Sequence, residues 1–203
     1  MSSPEAHEIA GLILAGGRAT RMSGRNKAEI ELAGQTLLAR TIERAKPQVG
    51  RLLLSANRDP AIFGRYGLPV LKDAIGDHWG PLAGILAGLD HLAATWPQIG
   101  WLASFPTDSP FFPADLVGRL AQAVEGHEIA MAAGHGRPEP VFSLWPVSLA
   151  TELRAALSGG LRKVEDFARR YRLVLVDWPA DSFFNVNSPE DLTEASRRLQ
   201  AGR

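Results

Sequence analysis

The chain contains no cysteine. That excludes disulfides and thiolate metal sites, and it suits a reducing compartment. It also lacks an excess of either charge, with 22 Lys and Arg against 22 Asp and Glu. A general nucleic-acid binder needs a basic surplus to neutralise phosphates, so nucleic acid is not an expected partner. Long apolar runs are missing too: the longest nearly apolar stretch, residues 82–89, is far shorter than the roughly 20 residues a membrane-crossing helix needs. Residues 1–8 carry acidic side chains and no basic lead-in, which argues against a secretory signal. The expectation is a soluble, cytoplasmic protein with no membrane partner. Two common phosphate motifs are absent as well. No Gly-Lys pair occurs, so there is no P-loop, and no Gly-x-Gly completes a dinucleotide fingerprint. The five histidines (His7, His78, His91, His127 and His135) show no metal-ligand spacing.

What the chain does have is 203 residues, 45% of them hydrophobic, enough to bury one substantial core. One domain is expected over residues 1–203, organised from about 9 to 200. Apolar segments at 9–14, 51–56, 69–72, 101–105, 129–133 and 173–177 read as buried strands. Between them, Leu37, Leu38, Ile42 and Ala45 form one helical face. Leu82, Ile85, Leu86, Leu89, Leu92 and Ala93 form another, and Leu116, Leu120 and Val124 a third. A last helix is signalled by Ser188 as N-cap, Pro189 at its first position and Asp191 closing a capping box. Such alternation predicts an α/β fold: a Rossmann-like three-layer sandwich with a mainly parallel sheet.

In open sheets of this kind, ligands bind at the carboxyl ends of the strands. Four polar or glycine-bearing segments fall there: Leu14-Ala15-Gly16-Gly17, Ser55-Ala56-Asn57-Arg58, Lys72-Asp73 with the following Gly80-Pro81, and Pro106-Thr107-Asp108. The first is the most telling. Glycines let backbone N–H groups approach phosphate oxygens, and Arg18, Arg21 and Lys27 follow as neutralising cations. The pattern suits a polyanion such as an NTP. Backbone N–H groups from Ala15 to Gly17 would hold the triphosphate, Lys27 and Arg21 would meet the leaving pyrophosphate, and Asp108 would hold Mg²⁺.

The motifs together resemble the MobA-like nucleotidyltransferases. Leu-Ala-Gly-Gly, Arg21-Met22, Lys27, Gly80-Pro81-Leu82-Ala83-Gly84, Pro106-Thr107-Asp108 and Asn185-Val186-Asn187-Ser188-Pro189 occur in the family's order, from about Gly11 to Leu199. The resemblance implies Mg²⁺-dependent transfer of GMP from GTP to molybdopterin carrying molybdenum, with release of pyrophosphate. It also implies a molybdoenzyme or its chaperone as the receiver of the product. Nucleotide contacts carry over to Leu14, Ala15, Gly16, Gly17, Lys27, Ser55, Asp73 and Asp108, and the metal-binding role to Asp108. Lys27, Arg21 and Asp108 are the expected catalytic groups, and Gly80, Pro81, Asn185 and Asn187 face the acceptor. Residues 137–144 match an acceptor-facing loop. Two positions depart from the family pattern: Ser55 where an Asn-Ala-Asn segment has Asn, and Asn26-Lys27 where Asp-Lys is usual. The Gly16-Gly17 pair matches the family's GTP users.

Blander readings stand beside these. Gly16-Gly17 alone is a tight turn, Lys27 alone a surface lysine, and Asp108 or Asp73 a turn residue. Asn185 and Asn187 could bridge backbone groups at a corner. The basic residues Arg162, Lys163, Arg169, Arg170 and Arg172 read as a solvated helix face, with reception of an anionic acceptor or a partner as the alternative. Other reactions on the same fold, CMP transfer to molybdopterin or nucleotidyl transfer to a sugar phosphate, stay open. So does a non-catalytic NTP-binding module in molybdoenzyme assembly.

Overall fold

A computed structural model describes residues 3–16, 27–73, 79–125 and 128–201. Gly17, Arg18 and Arg21 lie outside them. Strand β1 (Ile9–Leu14) is followed by a small hairpin, β2 (Glu31–Leu32) and β3 (Gln35–Thr36), and by helix α1 (Leu37–Ala45). Then come β4 (Arg51–Ser55), β5 (Val70–Leu71), α2 (Pro81–Thr95), β6 (Trp101–Pro106) and α3 (Leu116–Ala123). The remainder is β7 (Ile129–Gly134), β8 (Arg137–Pro146), α4 (Ala150–Ser158), α5 (Val164–Ala168), β9 (Leu173–Trp178) and α6 (Pro189–Ala201).

The main sheet runs in the order β5-β4-β1-β6-β8-β7-β9. Pairing is parallel from β5 to β6 and again between β7 and β9, while β8 is antiparallel to both neighbours. The expected α/β, mainly parallel sandwich is what forms. Strand β1 shows why it has two covered faces. Ile9 and Ile13 pack with Leu38 and Leu120 on one side, and Ala10 and Leu12 with Ile85 and Leu86 of α2 on the other. An inner strand buried on both faces must be apolar at every position, which is why it reads as a continuous run.

Two differences from the sequence-based expectation matter for the site. Residues 137–144, matched to a loop, belong to the ten-residue strand β8. Pro138 and Pro140 disguise it, because proline inside a run argues against a strand unless a bulge accommodates it. A bulge is present: the β7–β8 register shifts between Met131 and Ala132, from Ser143 to Glu139 on the β8 side. Its carbonyls are satisfied internally, Pro140 O by Ser143 Oγ at 2.9 Å and Val141 O by the buried Ser104 Oγ at 2.6 Å. The second difference concerns Arg162, which is more than part of a solvated face. Its guanidinium stacks 3.5 Å from the ring centroid of Trp79 and donates to the carbonyls of Leu157 and Leu161.

Helix α2 lies unusually close to the sheet. A Cβ on Gly84 would stand 2.6 Å from both Leu14 Cδ2 and Ser55 Oγ, and one on Gly88 would stand 2.8 Å from Leu102 Cδ2. These glycines let the N-terminus of α2, opened by Gly80 and Pro81, sit beside the strand ends.

Candidate nucleotide site

The carboxyl ends of β1, β4, β5 and β6 open into a cavity of about 700 Å³. Leu14, Ala15 and Gly16 supply one wall, and Ser55, Asn57 and Asp73 the next. Gly80 and Pro81 come from the start of α2, Lys27 and Asp108 from the far side, and Glu139 and Asn185 complete the rim. The segments expected at the sheet edge are therefore gathered around one space.

Each group is held by identifiable bonds. The Ala15 N–H donates to Ser55 O at 2.9 Å, so this amide belongs to the sheet. At the next position, Gly16, a Cβ would meet nothing within 4 Å. Thr107 Oγ1 donates to Leu14 O at 2.8 Å and fixes the β6 end against the β1 end. Asp73 is clamped: it accepts from Asn57 Nδ2 at 2.7 Å and from Ser55 Oγ at 3.2 Å, while its own N–H donates to Asn57 Oδ1 at 2.9 Å.

On the opposite wall Lys27 Nζ donates to Asp108 Oδ2 at 2.7 Å and also to Asn187 Oδ1. Both side chains of the ion pair are mostly shielded, at 18% and 22% exposure. The supports beneath are independent of Lys27. Val186 N–H donates to Asp108 O at 2.7 Å, and Ser109 Oγ donates to Asn185 Oδ1. The Asn187 and Ser188 amides both donate to Asp191 Oδ2 at 2.9 Å, and the Asp191 amide donates to Ser188 Oγ, which is the expected capping box. The Asn187 amide leads the causes that hold the Asp191 carboxyl below the usual range, with the Ser188 bonds and the Lys27 charge assisting against some desolvation. Glu139 is half-buried, and its carboxyl is pushed up by desolvation and by the Asp108 charge, partly offset by Arg137.

Asn57 and Glu139 are the residues that sequence reasoning passed over as individual site groups. Asn57 carried a signal, since it follows a strand end. Glu139 did not, because only the bulge turns that part of β8 toward the cavity. Asn185 lines the cavity, whereas Asn187 is engaged with Lys27.

The donor chemistry fits a hard divalent cation. Asp108 Oδ2 and Asn187 Oδ1 already converge on a cationic nitrogen, and Mg²⁺ is typically held by one or two carboxylates with phosphate oxygens and water. Among the described residues there is no cluster of three or more His, Cys, Asp or Glu side chains that could hold a metal. The remaining ligands would thus have to come from substrate phosphates and water.

A mostly parallel sheet with a shielded lysine–aspartate pair in a cleft at its strand ends has the architecture of a nucleotide-handling α/β enzyme. Residues 11–173 match the family model described as the MobA-like NTP transferase domain, and the chain belongs to that family, one of nucleotidyltransferases. It is 50% identical over 192 residues to a molybdenum cofactor guanylyltransferase of Rhodopseudomonas palustris (strain BisB5), covering 92% of this chain and 91% of that one. A protein of the same name from Bradyrhizobium sp. (strain ORS 278) is 48% identical over 203 residues, covering 97% and 96%. Among solved structures, molybdopterin-guanine dinucleotide biosynthesis protein A from Archaeoglobus fulgidus superposes with a TM-score of 0.75 at 25% identity, over 95% of this chain and 99% of that chain. No helix among the described residues is long and apolar enough to cross a membrane.

Proposed function

We propose that this protein transfers the guanylyl group of GTP to the phosphate of Mo-molybdopterin in the cytoplasm, using Mg²⁺ and releasing pyrophosphate. The observation that carries the reading is the shielded Lys27–Asp108 pair at the strand-end cavity, in a chain about half identical to proteins named molybdenum cofactor guanylyltransferase. In this reaction a phosphate oxygen of the acceptor forms a bond to the α-phosphorus, the bond from that phosphorus to the bridging oxygen breaks, and pyrophosphate leaves with the electron pair. The attacking phosphate is already ionised near neutral pH, so no general base is needed. Catalysis is then mostly positioning and neutralisation of converging negative charge.

The residues divide the work accordingly. Backbone from Gly16 onward approaches the triphosphate, where the absence of a side chain leaves room. Lys27, with Arg21, neutralises the departing pyrophosphate. Asp108 would hold Mg²⁺, which supplies charge neutralisation at the phosphates when bound. Leu14, Ser55 and the Asn57–Asp73 clamp shape the nucleoside side, and Gly80, Pro81 and Asn185 lie toward the acceptor. The product would pass to a molybdoenzyme or its chaperone.

Transfer of label tests the reading. With GTP labelled at the α-phosphate, the label should appear on molybdopterin and none in pyrophosphate. Label that stays on GTP or is released only as GMP would reject it. Calorimetry separates the base preference: GTP should bind well above CTP in affinity, and equal binding would refute the guanine assignment.

A further inference from the structure

We propose that in the free protein the Lys27 ammonium occupies the position of the divalent cation, so that cation and triphosphate are bound together and each strengthens the other. This rests on the assignment of Asp108 to the cation made above. It also moves Asn187 from the acceptor side of the site to the cation side.

The geometry is a two-oxygen pocket with a charged nitrogen already in it. Asp108 Oδ2 arrives from the end of β6 and Asn187 Oδ1 from the segment before α6, and both accept from the same Lys27 Nζ. The main chain that carries each oxygen is held without the lysine. The main chain at Asp108 is tied to Val186, and the main chain at Asn187 is tied to the Asp191 carboxylate. The two backbone positions therefore stay close together when the ammonium leaves. A further carboxylate, Glu139, faces the same cavity.

A divalent cation seeks the same oxygens that Lys27 now holds, and two cations cannot share them at contact distance. A cation arriving alone must displace the ammonium from the Asp108 and Asn187 oxygens, and it finds fewer than three protein carboxylate or imidazole ligands among the described residues. A triphosphate changes both terms. Its oxygens receive the Lys27 charge and complete the cation's coordination. Binding of the two is consequently coupled, and the coupling is reciprocal.

The test uses Mn²⁺ as a paramagnetic probe on the full chain without nucleotide, read by electron paramagnetic resonance. Lys27→Met keeps most of the length of the side chain and removes its charge; it should bind Mn²⁺ about tenfold or more tightly than the wild type. Adding Asn187→Ala to that variant should return the affinity toward the wild-type level. A folded Lys27→Met protein that binds Mn²⁺ no better than the wild type overturns the proposal. The wild type provides a second reading should the variant not fold: GTP should bind about tenfold or more tightly with Mg²⁺ than in chelator, and equal affinities overturn the coupling. Failure of label transfer would sink the guanylyl-transfer reading and leave these titrations interpretable, whereas normal transfer with a flat Mn²⁺ response would sink only the exchange.

Discussion

The two halves of the main sheet are built by different rules. From β5 to β6 the strands are parallel, and their carboxyl ends deliver Gly16, Ser55, Asp73 and Asp108 to one edge. From β8 to β9 the sheet contains the antiparallel strand β8, whose beginning, not its end, lies at that edge. A parallel half places a loop at the site after every strand, so it can accumulate ligand contacts with little extra chain. Strand β8 must bend to contribute, through the bulge beside Glu139, whereas the segment before α6 follows the carboxyl end of β9, which is parallel to β7. On the proposed function, the parallel half handles the nucleotide, and the other half shapes the acceptor side and steadies the cation site.

Variants can break that division. Asp108→Ala should reduce pyrophosphate release by roughly a thousandfold or more while leaving the fold intact, since the backbone tie to Val186 persists. Lys27→Ala should cost about a hundredfold to a thousandfold in turnover, and a near-normal rate would remove it from the mechanism. Gly88→Val should act on stability instead: the added atoms meet Leu102 and Leu12 in the core, and overpacking of this kind costs about 1–3 kcal/mol, readable by chemical denaturation.

Two milder variants sharpen the comparison through pH, with opposite signs. Glu139 has a raised carboxyl pKa, so its contribution to stability is present below the ordinary glutamate range and is lost as pH rises through the folded value. Glu139→Gln should therefore gain stability relative to the wild type above that range, seen in melts at several pH values. Asp191 has a lowered pKa; its contribution is present above the ordinary aspartate range and is lost as pH falls through the folded value. Asp191→Asn should cost about 1 kcal/mol at neutral pH through the weakened cap, and the difference should vanish in acid.

Much of the parallel half is legible in the sequence, because strands covered on both faces are continuous apolar runs ending in polar loops. The α6 cap is legible for a local reason: Ser188, Pro189 and Asp191 are near neighbours whose bonds close within one turn. Strand β8 is not, since Pro138, Glu139 and Pro140 break the alternation that a bulge then accommodates. Nor is the contact between Lys27 and Asp108, which are 81 residues apart. Position after β6 marked Asp108 as a candidate, but only the folded chain sets it against Lys27 and Asn187. Arg18 and Arg21, expected beside Lys27 as neutralising cations, lie outside the described residues.

The most direct measurement is pyrophosphate release with Mg²⁺ and each NTP in turn, with and without molybdopterin. Release is predicted only when GTP and molybdopterin are both present. Release with CTP in place of GTP would contradict the guanine assignment, and tight GTP binding with no release under any pairing would contradict catalysis itself.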